Sequence, residues 1–356
     1  MSQVVSPPRL TFRTPTTIPS ASVRQWLSCR TMEISLMRVV IIGGSGHIGS
    51  YLTPRLVEAG HSVFCVSRGL KQPYVEHVAW KRVESVVLDR SVEEAAGTFG
   101  GKIRDLEPDC VIDLTAYTRE STEQLVEALR GRVQQFLHCG TIWVHGPTVE
   151  APVAEDQPRR PISEYGVRKA EIEAYLLEEA RRHEFPATVL HPGHLVGMGW
   201  VPLNPAANFN PAVFADLAAG REIVLPNLGR ETLHHVHADD VAQAFVQAMD
   251  HWPAAVGECF HVVSPAAVSM AGYAEAVAGW FGQRARIRFL PWEEWRSVVS
   301  EKEAKITWDH IARSPVCSIR KAEQLLNYRP RYRSLEAVRE SVLWLVANLI
   351  IRGASV

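Results

Sequence analysis

The stretch from Arg38 to Ser50, RVVIIGGSGHIGS, decides the fold. RVVII is a short apolar run rich in β-branched residues, which reads as a strand buried on both faces. From Gly46 to Gly60 the apolar spacing turns helical and stops on a glycine; Pro54 fits such a helix only near its first turns. The glycines between strand and helix parse two ways, as GxGxxG through Gly44, Gly46 and Gly49, or as GxxGxxG through Gly43, Gly46 and Gly49. Either pattern means a tight turn that lets the backbone approach a pyrophosphate at a helix N-terminus. Gly43, Gly46, His47, Ile48 and Gly49 are therefore candidate dinucleotide-binding residues.

Outward from this loop, strands and helices alternate. Strand patterns cover residues 61–69, 85–90, 108–116, 133–146 and 185–197, the longer ones running into loops; helical patterns cover about 91–107, 121–131 and 164–184. Near-continuous apolar strands separated by helices predict a parallel sheet covered on both faces, an α/β Rossmann-type doubly wound fold. The dinucleotide-binding domain is expected over residues 37–196 and is completed by 234–264. A Pro/Asn-rich loop opens at Trp200, and residues 197–233 and 265–350 are expected to form a smaller C-terminal substrate lobe. Such a lobe belongs over the carboxyl ends of the strands, where open α/β sheets bind ligands.

The second strand ends on Ser67 and Arg68. An NAD site usually carries an acid there for the ribose hydroxyl; a guanidinium instead suits a 2′-phosphate. The expected cofactor is NADP or NAD, with Arg68 favouring NADP. Asp89, Leu114 and Thr115 close the third and fourth strands and are expected along the cofactor path. YGVRK places Tyr165 and Lys169 on one helix face, one loop beyond the fifth strand. A free tyrosine has a pKa near 10, so bringing it towards 7 requires about 4 kcal/mol of preferential stabilisation of the phenolate. The lysine ammonium and a cationic nicotinamide act in that direction. Thr141, at the end of the fifth strand, can hold a substrate oxygen while Tyr165 moves the proton.

With these residues in this order, the chain resembles the extended short-chain dehydrogenase/reductase family, which includes nucleotide-sugar epimerases and dehydratases, over about residues 37–345. The resemblance implies Thr141, Tyr165 and Lys169 as the catalytic residues, with Lys169 also on the nicotinamide ribose. It places Pro192 by the nicotinamide and His194 by the substrate; Asn208 is a further candidate substrate contact. A homodimer through residues 119–130 and 164–183 is implied as well. Three departures are visible. Ile142 and Trp143 stand where 4,6-dehydratases have Asp-Glu, and neither can protonate a leaving hydroxyl. Leu233 stands where UDP-glucose 4-epimerases place a diphosphate-binding arginine, with Arg230 three residues away. His194 replaces a usual asparagine.

Bulk composition suits a soluble enzyme with a small-molecule substrate. The chain of 356 residues is 46% hydrophobic and has a formal net charge of -1, which does not point to nucleic acid or a membrane surface. No apolar run reaches the roughly 20 residues needed to span a bilayer. Near the C-terminus, Leu335, Val338, Val342, Leu345 and Leu349 are spaced for an amphipathic helix packed on the body or on another subunit. The six cysteines are scattered without CxxC, as expected of buried thiols in a reducing, cytoplasmic setting. His234, His235 and His237 invite a metal reading, but no cysteine or carboxylate set completes a site, so packing and hydrogen bonding are expected. Residues 1–36 hold one acid, Glu33, and read as a tail upstream of the true start, or else a transit peptide.

The preferred functional reading is an epimerase-type enzyme, transferring hydride reversibly at a secondary alcohol or ketone carbon of a nucleotide-sugar. One alternative is an NADPH-dependent carbonyl reductase or dehydrogenase. Another is a non-catalytic RNA-binding relative, suggested by VSRG, LDR and REIVLPNLG.

Overall fold

The computed structural model describes residues 36–348, Ile350 and Ile351. The readings of residues 1–35, Cys29 and Leu349 fall outside them. Strands β1 (Arg38–Ile42), β2 (Ser62–Ser67), β3 (Glu84–Val87), β4 (Cys110–Asp113), β5 (Gln135–Cys139) and β6 (Ala187–Pro192) alternate with helices α1 (His47–Glu58), α2 (Arg90–Ala95), α3 (Phe99–Arg104), α4 (Arg119–Leu129) and α5 (Glu164–Arg182). After β6 come β7 (His194–Val196), α6 (Ala212–Ala218), β8 (Glu222–Pro226), β9 (Thr232–Leu233), β10 (His235–His237), α7 (Ala238–Asp250), α8 (Trp252–Ala255) and β11 (Cys259–Val262). The chain ends with β12 (Val268–Ser269), α9 (Met270–Trp280), β13 (Arg286–Leu290), α10 (Trp292–Trp295), α11 (Glu301–Ile311), α12 (Arg320–Leu325) and α13 (Ser334–Ala347).

Seven parallel strands form the main sheet in the order β11-β6-β5-β4-β1-β2-β3. The order reverses at β1, with Ile42 registered between Val66 and Asp113. That reversal opens a crevice beyond the strand ends, which is where this fold class binds ligands. β1, β4 and β5 are buried throughout apart from Arg38, as their apolar runs required. A second apolar cluster gathers Val196, Phe214, Leu225, Tyr273, Trp295, Val338, Val342 and Leu345, all buried, so α13 spends its apolar stripe on the chain's own C-terminal lobe. The five cysteines among the described residues are buried and free. No helix among them is long and apolar enough to cross a membrane.

Three local expectations are corrected. Pro54 is not in the first turns; it is the eighth residue of α1, where its missing N–H is outweighed by a helix with nine buried residues. The helix expected over 91–107 is two short helices, broken between Ala95 and Phe99. The sixth strand stops at Pro192; His194–Val196 leaves the main sheet and pairs with β10.

Candidate active site

The glycine turn is built for close approach. Gly43 has φ +87°, and a Cβ there would lie 2.4 Å from Thr115 Cγ2. A Cβ on Gly49 would lie 2.2 Å from the Gly44 carbonyl oxygen, so α1 can start against the turn only without a side chain. Gly44 is confined as well, since a Cβ there would lie 2.8 Å from Cys65 Sγ, so the turn accommodates both glycine spacings, and the leading amides of α1 have no acceptor inside the helix. Around it runs a cleft of about 730 Å³, large enough for a cofactor. Gly43, Gly46, His47, Ile48, Gly49, Ser67, Arg68, Asp89, Leu114 and Thr115 all line it. These residues fit a dinucleotide: bare backbone at a helix N-terminus, with Arg68 and Lys71 at the β2 end.

Two residues to which the sequence reading gave no role in the site shape this cleft. Arg90 forms part of its wall, held by Asp113 at 2.8 and 2.9 Å, Glu94 at 2.6 Å, Ser121 at 3.0 Å and Thr115 at 3.2 Å. Burial opposes the Asp113 charge, but Arg90 more than offsets it and holds the carboxyl at about 2. Trp200 comes from the second lobe and stacks on the His47 ring, with centroids 4.8 Å apart and planes 6° from parallel. Burial, with His237 nearby, lowers the His47 pKa to about 4, so the stacked ring is neutral. Asp89 spends one carboxylate oxygen capping α2, bonding the amides of Ser91 and Val92.

Beyond the cleft-lining Tyr117, whose ring is 6.1 Å from that of Tyr165, Ser163 caps α5 and sets Tyr165 in its first turn. The Tyr165 phenol faces the Thr141 hydroxyl. Burial pushes the phenol above its ordinary value, Cys139 and Tyr117 add to this, and the Thr141 hydroxyl works against them. Lys169 is one turn on and buried. Its ammonium donates to the carbonyls of Ala116 and Cys139, each at 2.7 Å, with His138 Nε2 at 3.4 Å. It therefore lies beside the cofactor-lining Thr115 and has no direct bond to Tyr165. Pro192 is buried at the end of β6, opposite Val262.

Thr141 is anchored from behind. Its amide donates to His191 Nδ1 at 2.9 Å, which leaves the His191 proton on Nε2, 3.3 Å from Glu173. Arg159 bonds both Glu173 oxygens and contacts Cys259 Sγ at 3.3 Å. Glu173, His191 and Cys259 have the proximity of a metal triad, but the Arg159 guanidinium already supplies the positive charge there.

Beyond Tyr165 lies a set of rings. His194 donates from Nδ1 to the His234 carbonyl at 3.2 Å, so its buried Nε2 is an acceptor, without a partner among the described residues. His310 donates to the Ile306 carbonyl at 2.7 Å, and its Nε2 is likewise an acceptor. Burial keeps both rings neutral, His194 far below its usual pKa and His310 at about 4. The two rings are 4.9 Å apart, beside Trp143. Neutral acceptors suit substrate hydroxyls. Asn208 is placed differently: buried, it bonds Asn204, Asn210 and Thr307 in an internal knot. His234 and His237 also serve structure, His234 through the Cys317 amide and the Ser264 carbonyl, His237 through the Asp239 amide and Glu340. Trp200, His310 and Arg313, which lies on the Trp143 face, carried no motif that could have singled them out; Arg90 directly follows the recognised Asp89.

Comparison with known proteins agrees with this fold. The chain is 28% identical to 2′-dehydrokanamycin reductase of Streptomyces kanamyceticus over 62% of its length, spanning 60% of that protein. It is 24% identical to the chloroplast stem-loop binding protein of 41 kDa b of Arabidopsis thaliana, over 85% of this chain and 78% of that one. Among solved structures, UDP-glucose 4-epimerase from Thermotoga maritima shares the fold with a TM-score of 0.67 at 20% identity, over 88% of this chain and all of that one. The NAD dependent epimerase/dehydratase family matches residues 39–262, more than half the chain, and the glycine turn, Thr141, Tyr165 and Lys169 all lie inside the match. This protein belongs to that family.

Proposed function

We propose that the protein transfers hydride reversibly at a secondary alcohol or ketone carbon of a sugar-type substrate, in an epimerase-type cycle. The observation that carries this reading is the pairing of Thr141 and Tyr165, with the Tyr165 ring 6.1 Å from that of Tyr117, which lines the glycine-bearing cleft. Bound there, the nicotinamide nucleotide supplies the hydride acceptor and donor. Thr141 orients the substrate oxygen. Tyr165 takes or returns the proton on that oxygen, and its phenol, held high by burial, needs the positive field of the loaded site to ionise. His194 and His310 accept from neighbouring hydroxyls. Trp143 supplies no acid for dehydration. The intact Thr141–Tyr165 pair and the near-zero net charge favour catalysis over the stem-loop binding for which one relative is named.

A second reading, net reduction with NADPH, is favoured by Arg68 and Lys71 at the cofactor rim. Mass spectrometry of nucleotide carried through purification separates the two. An epimerase retains its cofactor and needs none added; a reductase purifies largely empty and saturates with NADPH. In either case Tyr165→Phe should abolish turnover while nucleotide affinity stays within a few fold. Retained turnover in that variant removes Tyr165 from the chemistry.

A further inference from the structure

Arg313 is among the largest fully buried side chains of the protein, with 2% of its surface exposed. Its guanidinium lies on the Trp143 indole, with Cζ 3.8 Å from the ring centroid. One nitrogen, Nη2, donates to the Ser163 hydroxyl at 2.7 Å. Nε and Nη1 are buried and have no partner among the described residues. Asp309 acts on the group only at longer range, and burial lowers its pKa to about 10.

This is an unfavourable place for a cation. Burying a charge costs several kcal/mol unless a partner is supplied. Here the protein supplies a hydroxyl, an aromatic face and, through Ser163, the positive N-terminal end of the 19-residue helix α5. The electrostatic balance calls for an anion from outside. Its position says which molecule brings it. Ser163 is two residues before Tyr165, and the indole under Arg313 meets the Tyr165 ring at 5.8 Å. An oxyanion on Arg313 would therefore belong to the molecule whose carbon Tyr165 serves.

We propose that the substrate carries an oxyanion group, a carboxylate or a phosphate, close to its reacting carbon, and that Arg313 with Ser163 receives it. Shielding from water makes such a charge-assisted bond strong. This rests on the hydride-transfer reading above, because that reading makes Tyr165 the reacting end of the site.

The test uses the full-length protein saturated with whichever of NAD and NADP it binds more tightly, so that the cofactor cleft cannot take the probes. Inorganic phosphate and acetate are titrated separately into wild type, Arg313→Met and Arg313→Lys while the thermal midpoint is read. Wild type should show a saturable rise with at least one probe, and the probe that works assigns phosphate or carboxylate. Arg313→Met should need at least tenfold more probe, and Arg313→Lys should fall between. Without probe, Arg313→Met should melt at or above wild type, since an unpaired buried charge is removed; a purely structural arginine would give the reverse. Affinity for that nucleotide should be unchanged in both variants. Equal probe responses in wild type and Arg313→Met overturn the proposal. If Arg313→Met does not fold, a wild-type response in Arg313→Lys overturns it. Failure of wild type to bind either NAD or NADP would instead overturn the hydride-transfer reading.

Discussion

One arginine is buried in the wall of the cleft and another beyond it on Trp143, and the fold treats them differently. Arg90, under the cofactor end, is bonded to two carboxylates and two hydroxyls; only Nη2 lacks a partner. Arg313, at the substrate end, has one hydroxyl and an indole. The first is an internal brace whose charge is cancelled by Asp113 and Glu94. The second keeps its charge uncancelled on the Trp143 indole that also meets the Tyr165 ring. A fold can hold both because the brace contributes to stability, whereas the uncompensated cation is a cost carried for binding.

The largest effect should come from breaking the brace. Arg90→Met leaves Asp113 and Glu94 unpaired and should cost about 3–5 kcal/mol of stability, read by urea unfolding. Asp113 sharpens this with pH. Its carboxyl is lowered from 3.8 to about 2 in the fold, so its contribution is complete above pH 4 and lost as pH falls through 2. In Arg90→Met the acid-unfolding midpoint should move upward. An unchanged midpoint would mean that Arg90 does not brace Asp113, and the contrast with Arg313 would collapse.

A smaller effect is expected where the two ends meet. Thr141→Ala should slow turnover about 10²-fold, the scale of a positioned proton transfer, with nucleotide affinity unchanged. A matching loss of nucleotide affinity would place Thr141 with the cofactor end instead. The smallest effect concerns the exposed rim. Arg68→Asp should shift preference from NADP towards NAD by about tenfold, the size of one charge-assisted hydrogen bond. Titrating both nucleotides against wild type and variant checks it; a wild type that already prefers NAD removes Arg68 from phosphate binding.

The cofactor end was legible in the sequence because its parts are local. A glycine turn, a strand end and an Asp cap act through backbone within a few residues of themselves, and the residues expected from the turn and from the ends of β2, β3 and β4 line the same cavity, whereas Lys169 and Pro192 do not. The substrate end was legible only as far as Thr141, Tyr165 and His194. Trp143 read as a missing acid, yet in three dimensions it is the surface on which Tyr165, His310 and Arg313 converge. Asn208 looked available because it sits in an Asn/Pro-rich loop. That same richness in asparagine lets the loop satisfy itself through Asn204 and Asn210.

By itself, the sequence determined the parallel sheet, the glycine turn and the α5 face that carries Tyr165 and Lys169, since hydrophobic period and backbone geometry are properties of neighbours in the chain. Tertiary structure decided the rest. It put Trp200 on His47, 153 positions away in chain order by their numbers. It turned the Lys169 ammonium to the carbonyls of Ala116 and Cys139, and it laid Arg313 on Trp143 without a carboxylate. Those outcomes depend on which charges and rings the packed elements bring together, and on what burial then costs an ion left without a partner. No spacing along the chain encodes either.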